Sequence, residues 1–253
     1  MRERSWDRTG VIALVVALLA GAGMVYAVPS LVPRPVRDLV GLGPERVAPA
    51  LAVRSSGSYA FLAHQPGDTD DPVGYDPCSR IPVRVNLAHA PAGGLPLVEQ
   101  AIARVESVTG LRFDLRGTTD QRPHWDGQYL PVFFGKARTA PALISWADER
   151  EVPELAGNVA GIGGSVPISD LGGHRRYATG GVTLDADSYA ELEKQPEGRA
   201  EELAILLHEL GHLVGLAHVH DPAELMNEDN LGNLDFGPGD LEGLAKIGAV
   251  ACA

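Results

Sequence analysis

Apolar and polar positions alternate over residues 81–87 with the two-residue period of a half-buried strand. Directly after it, Leu97, Val98, Ala101, Ile102, Val105 and Val108 recur at helical spacing, and Gly110 stands where a helix C-cap is expected. Further strands are expected at 111–115, 129–134 and 142–146, and another in the segment YATGGVTLD. A second helical stripe, Leu203, Leu206, Leu207, Leu210 and Val214, runs through RAEELAILLHELGHLVGL at 199–216. An opening of strand, helix, strand and strand predicts an α/β or α+β domain with the helix packed on a sheet. No internal repeat is visible at a useful period.

The first 58 residues follow a different pattern. Arg2, Arg4 and Arg8 precede VIALVVALLAGAGMVYAV, and no charge occurs between Arg8 and Arg34. The run reaches the ~18 to 20 residues that span a bilayer, while Val25-Tyr26-Ala27 also fits a cleavage site for an export signal. Residues 10–28 therefore read as a transmembrane anchor with 1–9 in the cytoplasm, or as a cleaved signal. Either places the remainder outside the cytoplasm, tethered to the membrane or secreted. Residues 29–58, rich in Pro, Gly, Arg and Val, are expected to be a stalk that leaves 59–253 as the folded domain.

Charge narrows the partners. The chain carries 21 Lys and Arg against 33 Asp and Glu, a formal net charge of −12, with the acidic excess beyond residue 55. Such a body is a poor match for nucleic acid phosphates or anionic headgroups, and its self-repulsion fits a monomer. Cys78 and Cys252 are the two cysteines, and in an exported chain they are expected to pair.

The chemistry is concentrated in HELGHLVGLAH at 208–218. His208 and His212 lie four residues apart on a helix, so both imidazoles project from one side and can meet a single zinc ion. Glu209 is placed to act as general base toward a water that the ion activates. Gly215 lets the chain leave the helix at positive φ, after which His218 can return as third ligand, with a fourth position open as in catalytic sites. The run GNVAGIGGSVP at 157–167 lacks the Lys-Ser/Thr ending of a phosphate loop and reads as a place of close backbone approach by another chain.

HELGHLVGLAH matches H-E-x-x-H-x-x-G-x-x-H, and Met226 follows in HVHDPAELMNE; together these resemble the metzincin clan of zinc peptidases. Asp221-Pro222, Leu225-Met226 and FGPGDLEGLAKIG, with Asp240 near the start of a closing helix, are similar to the matrixin group. The resemblance covers roughly 77–248 and is densest toward the C-terminal end. It implies a two-lobed α+β peptidase domain with a twisted, mostly parallel sheet and a long active-site helix. It further implies one catalytic zinc on His208, His212 and His218, a turn at Met226 giving the imidazoles an apolar floor, and an edge strand in GNVAGIGGSV that pairs with a peptide substrate.

The sequence departs from the matrixin pattern in places. Val219 stands where matrixins have Ser, and no PRCGxPD segment lies upstream, so latency through a propeptide thiolate is not expected. The pattern of a structural zinc site is missing, which leaves His174 and His220 as surface residues. Asp185 and Asp187 in TLDAD could meet calcium, but read as solvated strand-end residues. Cys78 in YDPCSR is an alternative cap on the zinc should the disulfide not form. The resulting expectation is a zinc endopeptidase with Glu209 as general base. The alternatives are a zinc hydrolase of cell-wall peptide crosslinks, and an idle exported binding module, which would more naturally have lost Glu209 or a ligand.

Overall fold

The computed structural model describes residues 44–125, 132–133, 136–137, 140–170, 172–229 and 232–252. The apolar run at 10–28, its flank at 1–9 and the first part of the expected stalk lie outside the described residues. Among the described residues, no helix is long and apolar enough to cross a membrane. In chain order the elements are β1 (Ala60–Phe61), β2 (Ile81–Val85), α1 (Gly94–Thr109), β3 (Phe113–Thr118), β4 (Val132–Phe133), β5 (Lys136–Ala137), β6 (Ala142–Ala147), β7 (Gly161–Ser169), β8 (Arg175–Asp185), α2 (Ala186–Leu192), α3 (Gly198–Val214), β9 (Leu216–Ala217) and α4 (Pro238–Gly248).

The main sheet has the order β3-β2-β6-β8-β7, parallel throughout except for the antiparallel β7–β8 pair at one edge. The position of each strand follows from its side chains. All six residues of β6 are buried, as expected of a parallel strand covered on both faces, whereas β2 buries Ile81, Val83 and Val85 and turns Arg84 outward. On one face lie α1 and α3, whose apolar stripes join the strands in a single core that includes Leu97, Val105, Leu206 and Leu210. On the other face Trp125 covers the sheet, donating from Nε1 to Thr183 Oγ1 at 3.0 Å. Of the strand expected at 129–134, only 132–133 is described, and it pairs with 136–137.

α1 ends at Gly110, which has φ 73, and a Cβ there would stand 2.5 Å from the Pro49 carbonyl oxygen. Pro49 belongs to the stretch expected as stalk, and here the expectation is corrected: the compact body begins at Arg46. Val47 N–H donates to Pro77 O at 3.0 Å, the Arg46 guanidinium to Val250 O at 3.0 Å and to Gly248 O, and Ser55 N–H to Glu242 Oε2 at 2.6 Å. These contacts run through backbone groups and single polar side chains, so no apolar period announces them. The same segment continues into β1, which pairs antiparallel with β9, and Leu62 N–H donates to Gly215 O at 2.9 Å.

α2 is a short helix that no stripe predicts. It starts because the Asp185 carboxylate accepts from Ser188 N–H at 2.8 Å and Ser188 Oγ–H at 2.6 Å, which makes Asp185 an N-cap; Asp187 sits in the first turn beside it. The calcium reading of this pair thus meets a carboxylate already engaged by its own helix.

Cys78 is bonded to Cys252, with Cα atoms 5.5 Å apart and a sequence separation of 174. The bond ties the chain beyond α4 to the turn before β2. A crosslink closing so long a loop restricts the unfolded ensemble strongly, so reduction is expected to lower the unfolding free energy by about 2–5 kcal/mol. Urea titration with and without reductant measures this, and coincident midpoints would remove the bond from the stabilising set.

Candidate active site

α3 has to carry polar groups into the core. Leu206, Leu207, Leu210 and Leu213 bury its apolar face, yet Glu209 and His212 are also buried and His208 half-buried. The helix stops at Gly215, whose φ is 129; a Cβ there would crowd Val73 O and the Tyr177 ring. The reversal leads through β9 and returns His218 to face the two helical histidines.

Ring orientation is fixed from behind. His208 Nδ1–H donates to Leu225 O and His212 Nδ1–H to Leu216 O, both at 2.8 Å. A carbonyl only accepts, so Nδ1 carries the proton in each ring and Nε2 is left with a bare lone pair. The Nε2 atoms converge: His208 to His212 at 3.1 Å, and each of these to His218 at 3.0 Å. Two lone pairs at 3.1 Å repel unless a cation lies between them. Tetrahedral zinc with Zn–N of ~2.0 to 2.1 Å separates its ligands by roughly 3.3 Å, so the trio fits zinc within a few tenths of an ångström. Burial favours neutral rings, pushing His208 down to about 4 and His212 to about 3. The group of potential ligands contains no sulfur, since Cys78 is engaged with Cys252.

Glu209 points from the same turn toward β7. Its carboxylate is buried, its Oε2 meets no hydrogen-bond partner among the described residues, and burial pushes its pKa up to about 8. The glycines of β7 are explained here. A Cβ at Gly161 would come within 2.8 Å of Glu209 Cγ, and one at Gly163 would strike the Glu209 carbonyl oxygen. The expected approach by another chain is corrected: the element that lies close to these glycines is α3 of the same chain. Among the described residues β7 pairs only with β8, so its other edge is open within the main sheet. A cleft of about 250 Å³ lies between Asn158, Ala160 and Gly161 on the strand side and Ala204, His208 and Glu209 on the helix.

Met226 is buried beneath α3, where a Cβ at Gly211 would meet its Sδ at 2.6 Å. Val219 N–H donates to Met226 O at 3.0 Å, and Val219 itself is buried. The turn is held by two carboxylates in a reciprocal clamp. Asp240 Oδ2 accepts from Leu225 N–H at 2.6 Å, Met226 N–H at 3.3 Å and Gly237 N–H at 3.0 Å. Glu224 Oε1 and Oε2 accept from Gly239 and Asp240 N–H, each at 2.9 Å. Glu224 is a positioning residue that sequence reasoning missed; its only signal is an acidic residue two places before the methionine. His220 is exposed, with Nδ1 3.1 Å from Glu228 Oε1, and His174 lies at the β7–β8 turn; neither joins the imidazole group.

Burial raises the Asp240 carboxyl to about 6, against the pull of its N–H donors. With the folded pKa above the ordinary carboxylate value of ~3.9, the folded state binds this proton more tightly. The stability it confers is full below about pH 4 and is lost as pH rises through about 6. Relative to Asp240→Asn, the metal-free wild type should therefore lose on the order of 1–3 kcal/mol between pH 4 and 7. Urea denaturation of both proteins across this range measures the difference, and a constant difference would contradict the assignment.

The Matrixin family model matches residues 166–236, a segment that contains the three histidines, Glu209 and Met226. No curated protein matches the chain. Among solved structures, a GM1-bound form of the ECX AB5 holotoxin aligns with a TM-score of 0.41 and 14% identity, covering 75% of this chain and 87% of its own. Archaemetzincin from Methanopyrus kandleri aligns with a TM-score of 0.40 and 16% identity, covering 66% of this chain and 95% of its own. The family match points to a zinc metallopeptidase.

Proposed function

We propose that the chain is an exported, matrixin-like zinc endopeptidase with a metzincin-type two-lobed domain. One observation carries the reading: three Nε2 atoms converge within 3.1 Å beside a buried carboxylate oxygen that has no hydrogen-bond partner among the described residues. A structural site would close the fourth position with another protein ligand, whereas here the potential ligands are three imidazoles facing a cleft.

Zinc held by His208, His212 and His218 would supply a Lewis acid and lower the pKa of water at the site. The chain's own groups do the remainder. The open edge of β7 offers backbone N–H and C=O groups to an extended peptide, which fixes the scissile bond over the histidines. Glu209 takes the proton of the attacking water and returns it to the departing amine, its carboxylate held against β7 where bulk water is excluded. Leu225 O and Leu216 O hold His208 and His212 in one tautomer, and Met226 supports the helix under them. Export is supported by the uncharged run at 10–28 and by the Cys78–Cys252 pair; in the anchored form the active site faces outward.

The purified protein should hold about one zinc per chain, and Ala at His208, His212 or His218 should empty the site. Glu209→Ala should keep the metal and lose at least ~10² in kcat. Metal analysis joined to a peptide-library digest measures both. Wild-type turnover in the Glu209 variant would remove its role as base.

A further inference from the structure

The three imidazoles of the site are not held alike. His208 and His212 each give their Nδ1–H to a backbone carbonyl, while among the described residues no carbonyl takes that of His218. His218 is also the exposed member of the trio, and its ring turns freely unless another group restrains it. The backbone brings one such group to the same side. Val219 pairs in parallel with Asn227 in an isolated bridge, and both side chains are buried. His218 and His220, the two neighbours of Val219, and Glu228, the neighbour of Asn227, all emerge exposed, as alternation along extended backbone requires. Glu228 and His218 line the same cleft. The carboxylate is itself tethered, with Oε1 3.1 Å from Nδ1 of His220. Its charge also reaches His218, where burial lowers the pKa and Glu228 opposes that lowering, while His220 adds to it.

Resting on the metal centre of the reading above, we infer that Glu228 is the positioning residue of the third imidazole: its carboxylate takes the His218 Nδ1–H, and His220 holds the carboxylate in place. The tautomer follows from the ring contacts. Nε2 of His218 meets Nε2 of His208 and of His212 at 3.0 Å, so the ligating lone pair belongs there and the proton belongs on Nδ1, directed away from them. A carboxylate accepts that proton more strongly than a carbonyl does and raises the basicity of the ligating nitrogen. One Glu228 oxygen serves His220, which leaves the other for His218. Among the described residues the acidic groups lining the cleft are Glu209 and Glu228, and Glu209 is turned toward β7.

Zinc affinity, measured without substrate by competition with a fluorescent chelator, tests this. Glu228→Ala should weaken binding about tenfold, the lower end of the ~10- to 100-fold that partners of ligating imidazoles contribute, because the carboxylate is half exposed. Glu228→Gln keeps an acceptor oxygen of the same reach and should stay within about threefold of wild type. His220→Ala should cost about two- to threefold, and nothing further when Glu228 is already Ala. In proton NMR of the zinc-loaded protein, the His218 Nδ1–H resonance should persist in Glu228→Gln and broaden by solvent exchange in Glu228→Ala.

Wild-type affinity in Glu228→Ala overturns the positioning role and leaves the peptidase reading standing. A Gln variant as weak as the Ala variant overturns it too, because the effect then lies in net charge. So does a loss matched by equal destabilisation of the metal-free protein in urea, because the effect then lies in folding. A His220→Ala loss that adds in full to that of Glu228→Ala overturns the part given to His220. If the affinities follow the expected series but wild type cleaves nothing in a peptide library, the peptidase reading falls and the role of Glu228 stands. A wild type that takes up no zinc overturns both.

Discussion

Two hydrogen bonds, from His208 Nδ1–H to Leu225 O and from His212 Nδ1–H to Leu216 O, set the terms for the rest of the domain. An imidazole free to rotate or to change tautomer presents its lone pair in any direction, and a trio of such rings binds a cation poorly. Fixing them requires two carbonyls at defined points behind the helix, and distant parts of the chain converge on that task. Leu216 O lies in β9, which β1 braces from the opposite strand. Leu225 O lies in the turn that Asp240 and Glu224 clamp to the start of α4. The N-terminal segment in turn lies against α4 through Ser55 and Glu242. Most of what surrounds α3 outside the sheet can be read as support for these two acceptors.

The same helix shows what the site costs the fold. Burying a carboxylate without a partner is unfavourable by several kcal/mol in general, and Glu209 Oε2 is such a group. Replacing it by an apolar residue of similar volume would suit a helix whose task was only to cover a sheet. The glycines at 161 and 163 point the same way: they surrender side-chain packing on β7 so that the strand can lie against Glu209. Polar burial and thin packing coincide at one place, where chemistry rather than stability accounts for the residues.

How far the sequence discloses this depends on the range over which each signal acts. α1 and α3 are legible because their stripes repeat every three to four residues, and Gly110 and Gly215 mark their ends at the positions where the backbone takes positive φ. The three histidines and Glu209 are legible because they fall within one short run of the chain. The supports behind them are not. Leu225 and Leu216 act through carbonyls, which every residue possesses, and Asp240 acts on backbone N–H groups 14 and 15 positions away. The segment 46–58 reads as stalk because Arg46 and Ser55 find their partners 204 and 187 positions later, at Val250 and Glu242, through single contacts that leave no period. α2 escapes for a related reason: its one signal is the capping carboxylate of Asp185.

The central claim is that three imidazoles, two of them oriented by backbone carbonyls, constitute the whole protein contribution to a metal centre. X-ray absorption at the zinc edge of the purified protein addresses it directly. The account predicts three nitrogen scatterers with imidazole character at ~2.0 to 2.1 Å and a remaining light-atom position not supplied by the chain. A sulfur scatterer near ~2.3 Å, or a coordination shell containing fewer than three imidazoles, would contradict it.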